Sequence, residues 1–289
     1  MSSIISYAKT MWKLWNYPIN IHCWGGFGSQ LYALTLARDL QNRFCSREIK
    51  FYFHTGGVTY RNPEILSLIG DFSYEVVNDF GIASIDTSTK RRFCSIPRAV
   101  IVKLVFFTGL MSRSDSDSEF RRIKPWVKTI RGHYSYRSQN ETTIKKIFPV
   151  NMFEADTDFK FLGVQYRLGD LTDLESKSPI DSNRIATLIH RIDPPGYSVW
   201  VYSDTPSEAT DRLSKHGIEC RAAVKNSLET VIDLSQADYF VGTSSKISFW
   251  IAILRVVVLQ KKDSFLPSSN INQLKLNVGL EKSSLIQVY

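Results

Sequence analysis

Residues 19–40 read INIHCWGGFGSQLYALTLARDL, and the order of residue types in this stretch decides the fold. Ile19 to Trp24 has the length and apolar content of a short buried strand. Gly25-Gly26-Phe27-Gly28-Ser29-Gln30 is a glycine-rich turn. Leu31, Leu34, Leu36, Ala37 and Leu40 then return on one side of a helix. Ile49 to Phe53 reads as a second strand, running into His54-Thr55-Gly56-Gly57. Strand, turn, helix and strand in that order form a βαβ unit, which requires a parallel sheet.

The second half repeats the pattern. Phe159 to Tyr166 (FKFLGVQY) is a strand followed by the turn Arg167-Leu168-Gly169-Asp170. A helix is predicted over Asp181–Arg191, with Asp181 as its cap and Pro194-Pro195 beyond its end. Ser198 to Tyr202 is a strand ending in Ser203-Asp204-Thr205-Pro206, with Pro206 suited to the first turn of the next helix. Further helices are expected over Ser227–Ser235 and from Ser248 to Leu254, and strands over Tyr239–Val241 and Arg255–Leu259. The polar stretch Ser112 to Glu119 has no core-facing period and reads as an exposed loop. Phe148-Pro149 and the acidic Glu154, Asp156 and Asp158 break the pattern, so two α/β domains are expected, 1–152 and 153–289, facing each other across a cleft.

Composition removes several classes of function. The 289 residues are 43% hydrophobic and 22% charged, ordinary for a globular protein. Cys23, Cys45, Cys94 and Cys220 are scattered, which suggests neither a zinc site nor a disulfide framework, and a cytoplasmic chain without a leader is expected. The net charge of +8 attracts acidic partners, yet no aromatic-basic motif for nucleic acid is present. The apolar run Ala99–Met111 contains Lys103 and falls short of the ~20 residues a membrane span needs, so it is expected in the core. Ile4, Ile5, Ala8, Met11, Trp12 and Trp15 recur at helical spacing between Lys9 and Lys13, a pattern suited to peripheral contact at the inner face of a membrane.

Ligands of open parallel sheets bind beyond the carboxyl ends of the strands. Four segments of chemical interest fall at such ends: Gly25 to Gln30, Arg167 to Asp170, Ser203-Asp204, and Gly242 to Ser245. The first is not a dinucleotide fingerprint, because the third glycine of G-x-G-x-x-G is Leu31. It offers close backbone approach at Gly26 and Gly28, with Gln30 at the helix start. Arg167 emerges from an apolar strand, and its planar fork matches a diphosphate. Asp170 orients that turn. Gly242-Thr243-Ser244-Ser245-Lys246 sets hydroxyls, amides and a cation before a helix that also carries Ser248, an arrangement that suits an anion.

The runs GGFGSQLYALTLARDL (25–40), GVQYRLGDL (163–171), VYSDTP (201–206) and DLSQADYFVGTSSKISFWIAIL (233–254), with RGHYSYR (131–137) between the first two, resemble the α-1,2-fucosyltransferases in order and spacing. The resemblance, to glycosyltransferase family 11, implies an inverting, metal-independent enzyme of the GT-B class, with two Rossmann-like domains. It implies GDP-fucose as donor, held by the C-terminal domain, an acceptor on the side of the N-terminal domain, and no cofactor. Donor contacts would then fall to Gly26, Gly28, Gln30, Arg167, Ser203, Asp204, Thr243, Ser244, Ser245 and Ser248, and acceptor contacts to His133 and Tyr134. The acceptor would be a glycan or lipid-linked glycan. Where the family has H-x-R-R-G-D this chain has Gln165-Tyr166-Arg167-Leu168-Gly169-Asp170, which leaves the donor sugar open. Inverting transfer needs a base and a stabiliser of the departing diphosphate. Glu175 is the first candidate for the base, with Asp173 and His133 as alternatives, and Arg167 for the stabiliser. The triplets Asp115-Ser116-Asp117 and Asp156-Thr157-Asp158 could hold a metal by type, but the first lies in a serine-rich loop and the second precedes its strand, and no metal is expected.

Overall fold

The computed structural model describes residues 17–56, 60–78, 103–153, 160–169, 178–192 and 196–289. Its contacts divide the chain into two compact units, Met1–Ser138 and Gln139–Tyr289.

The first unit contains β1 (Ile19–Trp24), α1 (Phe27–Arg43), β2 (Ile49–His54), β3 (Ser73–Val77), β4 (Met111–Arg113), α2 (Asp117–Arg122) and β5 (Thr129–Arg131). The sheet order is β3-β2-β1-β5-β4, with every pairing parallel. Along β1, Ile19, Ile21 and Cys23 are buried while Asn20, His22 and Trp24 point to the other face, half-buried. α1 packs on β1 through Leu31, Leu34, Ala37 and Leu40, the positions its period singled out.

The second unit contains α3 (Glu141–Ile147), a 3-10 turn (Val150–Phe153), β6 (Phe161–Gln165), α4 (Ser182–Ile192), β7 (Ser198–Tyr202), α5 (Pro206–Ser214), β8 (Cys220–Ala223), α6 (Ser227–Gln236), β9 (Tyr239–Gly242), α7 (Lys246–Val257), β10 (Ser264–Leu266), α8 (Ile271–Ser283) and β11 (Ile286–Val288). Its sheet runs β11-β10-β9-β6-β7-β8, again all parallel. Counted within the unit, that is the doubly wound order 3-2-1-4-5-6 of dinucleotide-binding folds. Leu162, Val164, Tyr166, Ile185, Leu188, Val201, Leu213 and Val241 form its core. α3 packs on α7, and the 3-10 turn on α6, so the stretch 139–153 belongs to this unit. The fold is α/β as expected, with a Rossmann-like parallel sheet in each unit.

Two expectations are corrected. Arg255–Leu259 is not a strand. α7 continues through Val257, because Ser245 caps a helix whose residues Ser248 to Val257 are all buried. A continuous apolar run has no period that separates a buried strand from a buried helix. Ser112–Glu119 is not a loop either: β4 ends in it and α2 begins there. Ser116 and Glu119 close a capping box, the Ser116 hydroxyl accepting the Glu119 amide while the Glu119 carboxylate accepts the Ser116 amide. The Met1–Asn16 segment lies outside the described residues, as do Asp156 and Asp158. Among the described residues no helix is long and apolar enough to cross a membrane.

Candidate functional site

In the second unit the strand order reverses between β6 and β9, and that switch is where α/β sheets open a crevice for ligands. Gln165 and Gly242 end the two strands side by side. The turns that leave them are built into each other. The Gln165 Oε1 accepts the hydroxyls of Ser248 at 2.6 Å, Ser245 at 2.8 Å and Thr243 at 3.3 Å. Ser245 also caps α7 by accepting the Ser248 amide, and the Ser248 hydroxyl accepts the Thr243 amide, both at 3.0 Å. Thr243, Ser245 and Ser248 are therefore buried in a knot that fixes the start of α7. Ser244, between them, is exposed.

Arg167 leaves the same edge. Its amide donates to Thr243 Oγ1 at 3.2 Å, so its backbone position is set by the β9–α7 turn. The next two amides, Leu168 and Gly169, both donate to Asp204 Oδ1, at 3.0 and 3.1 Å. Only glycine fits at 169, since a Cβ there would lie 2.3 Å from Asp204 Oδ2. Ser203 donates to Asp204 and accepts the Thr205 amide at 3.1 Å. The turns after β6, β7 and β9 thus form one rigid rim. The half-buried Arg167, the exposed Ser244 and the first turn of α7, with Lys246, stand on it. Asp170, Asp173 and Glu175 lie outside the described residues.

Sequence reading missed Asn270. It precedes α8 and is buried, and its Oδ1 accepts Ser244 Oγ at 3.4 Å and Ser269 Oγ at 3.2 Å. Its Nδ2 is buried with no hydrogen-bond partner among the described residues. A buried amide N–H₂ left without an acceptor is uncommon, and this one belongs to a side chain that touches the exposed serine of the rim. Nothing local in the sequence marks the residue, which reaches the site only through the fold.

The first unit has its own carboxyl edge. Gly25 takes φ +86°, and the Gln30 side chain donates to Gly25 O and Asn62 O while accepting the Glu64 amide. Gln30 is buried and holds this turn to the 62–64 loop. Gly26 caps α1 without a side chain, and Gly28 is buried in its first turn. Next to them Trp24, His22, His54 and Tyr52 stack, with interplanar angles of 10–19°. His22 Nδ1 and His54 Nε2 are hydrogen-bonded at 2.7 Å, one ring donating and the other accepting. Burial, then the Arg131 guanidinium and His54, push the His22 pKa down to about 3, so it is neutral at pH 7. Tyr134 is buried, and its hydroxyl donates to His22 O at 2.6 Å and Ile130 O at 3.1 Å. It pins the loop that presents His133, which is exposed. Tyr134 adopts φ 60°, a conformation rare outside glycine, and Asp115 Oδ1 holds it there by accepting the His133 and Tyr134 amides. Asp117 likewise accepts the Ser138 amide and hydroxyl, at 3.0 and 2.7 Å. Both carboxylates of this triplet brace backbone.

No family model matches this chain, and no curated protein matches its sequence. It is similar to the NodZ α-1,6-fucosyltransferase, which comes from Bradyrhizobium, in a structure soaked with GDP-fucose: 13% identity over 82% of this chain and 92% of that chain, TM-score 0.46. It is similar to the ADP-heptose lipopolysaccharide heptosyltransferase II of E. coli, with 14% identity over 94% and 90% of the two chains and TM-score 0.49. A glycosyl transferase family 9 protein of Veillonella parvula gives 9% identity over 86% and 80%, TM-score 0.45. Neither the fold nor the site rests on these likenesses.

Proposed function

We propose that the chain is an inverting glycosyltransferase whose second unit holds the diphosphate of a nucleotide sugar at the β6–β9 switch. The observation that carries this reading is the convergence there of Arg167, Ser244 and the first turn of α7 on a rim locked by Gln165 and Asp204. A guanidinium and a helix start both favour negative charge, which grows on the diphosphate as the sugar leaves. GDP-fucose is the first candidate donor, on the motif resemblance, and a glycan or lipid-linked glycan hydroxyl of a bacterial surface polysaccharide is the acceptor. Glu175 is proposed as the base, and Asp170 as the residue that orients the Arg167 turn. His133 is proposed to meet the acceptor, Tyr134 to position it, and Gly26, Gly28 and Gln30 to shape a ligand turn after β1. Fucose specificity, a metal-free mechanism and membrane association belong to this proposal.

The test is transfer itself. With GDP-fucose, and in parallel with UDP-, dTDP- and CMP-sugars, the protein should release nucleoside diphosphate and yield a glycosylated acceptor by mass spectrometry. Absence of product and of diphosphate release with every donor overturns the reading. One observation favours a second reading, a nucleotide-binding protein without transfer: the amide of Gln165, where the α-1,2-fucosyltransferases have histidine, does not act as an acid or base. Donor binding with neither hydrolysis nor transfer would select it.

A further inference from the structure

In a parallel sheet each helix runs back from the carboxyl edge to the amino edge, so helix ends gather at the amino edge. In the first unit that edge collects Arg43 at the end of α1, Arg121 and Arg122 at the end of α2, Lys124 and Lys128 ahead of β5, and the helical turn 103–107 ahead of β4. Cations at helix carboxyl ends have an ordinary explanation in the helix dipole. The apolar residues beside them do not. Phe107 is 89% exposed and Leu104 56%, three positions apart on one side of the turn, where the sequence led us to expect core. Trp126 is 38% exposed and donates its indole N–H to Thr108 O at 2.9 Å, which seats the ring against the same turn. Tyr17 is 49% exposed, with the Lys128 ammonium 4.1 Å over its ring.

We infer that this edge docks the protein on a bilayer rich in anionic lipid. Phe107 and Leu104 enter the acyl boundary, Trp126 and Tyr17 sit at headgroup level, and the cations face the phosphates. Charge chooses this occupant. Residues 103–110 and 120–128 contain five cations, Lys103, Arg121, Arg122, Lys124 and Lys128, and no acidic residue. Among the described residues near this edge, Asp71 pairs with Arg38 at 3.5 Å, and Glu48 accepts the Ser73 hydroxyl while keeping its charge. Arg43 braces the surface by donating to the carbonyls of Phe120, Arg121 and Ile123. The inference is independent of the nucleotide site, which lies in the other unit.

Flotation of the full chain with phosphatidylcholine vesicles, with and without phosphatidylglycerol, tests it. Binding should require phosphatidylglycerol and weaken in high salt. The double variant Leu104→Ser/Phe107→Ser should lose at least about tenfold of the bound fraction with its Tm unchanged, since both side chains are exposed. Lys103→Glu/Lys124→Glu should lose the preference for anionic vesicles. Wild-type protein that ignores anionic vesicles, or a double variant that floats undiminished, overturns the inference. So does loss confined to Trp12→Ala/Trp15→Ala, which would assign the contact to the N-terminal segment. A dimer in sedimentation that only Phe107→Ser dissolves, without vesicle binding, would assign the face to a second copy.

Discussion

The side-chain oxygen of Gln165, at the last position of β6, accepts the hydroxyl of Ser248 in the first turn of α7 at 2.6 Å. The bond crosses the point where strand order reverses, and the same oxygen serves Ser245 and Thr243. Gln165→Ala would remove the acceptor shared by three buried hydroxyls, of which, among the described residues, Ser245 alone keeps another, Ser248 Oγ at 3.1 Å. Urea denaturation should show a loss of about 1–3 kcal/mol, with weaker nucleotide binding alongside. An unchanged midpoint would mean that the turn is held by other bonds.

Asn270 should behave differently. Its Nδ2 has no partner among the described residues, and at the proposed site a bound phosphate or sugar oxygen would give it one. Asn270→Ala should weaken nucleotide-sugar affinity about tenfold, by calorimetric titration, and lower Tm little. Equal affinity in the variant would show that the amide does not reach the ligand.

His22 makes the stability depend on pH. In the folded chain its pKa is about 3, against 6.5 when unfolded, so the unfolded chain binds the proton first as pH falls. Stability from this residue is complete above pH 6.5 and is lost as pH drops from there toward about 3. Denaturation midpoints of His22→Asn should fall less steeply than wild type across that window. Parallel curves would place the acid sensitivity elsewhere.

Metal should be dispensable if cations and amides hold the diphosphate. Asp115 and Asp117 already accept backbone amides. Transfer in EDTA should match transfer with added manganese. Activity abolished by chelator and restored by manganese would sink the proposed mechanism.

Much of this architecture could be read in the sequence because its period is local. β1, the glycine turn and α1 announce themselves within 25 residues, and the turns after β6, β7 and β9 each follow an apolar strand. What escaped is of two kinds. Arg255 to Val257 reads alike as strand or helix, because burial on all sides erases the period. The Ser116–Glu119 capping box was present in the letters but hidden in a polar stretch. Asn270 and the buried position of Tyr134 are different, since each depends on residues far away in the chain. The exposure of Phe107 reverses the usual inference from apolar run to core, a reversal that points to an interface.

The most direct test of the proposed nucleotide site is Arg167, whose side chain stands half-buried on the rim while its amide is fixed by Thr243. Wild type, Arg167→Ala and Arg167→Lys should be compared in metal-free buffer, by thermal shift over GDP-, UDP-, dTDP- and CMP-sugars and by single-turnover transfer. One donor, GDP-fucose first among them, should stabilise wild type by about 2.7 kcal/mol at a hundredfold excess over Kd. Both variants should fold, lose that shift, and slow transfer by ~10²–10³, since lysine keeps the charge but not the bidentate fork. A folded Arg167→Ala protein that still binds donor and transfers at the wild-type rate would contradict the account and move the diphosphate away from the β6–β9 switch.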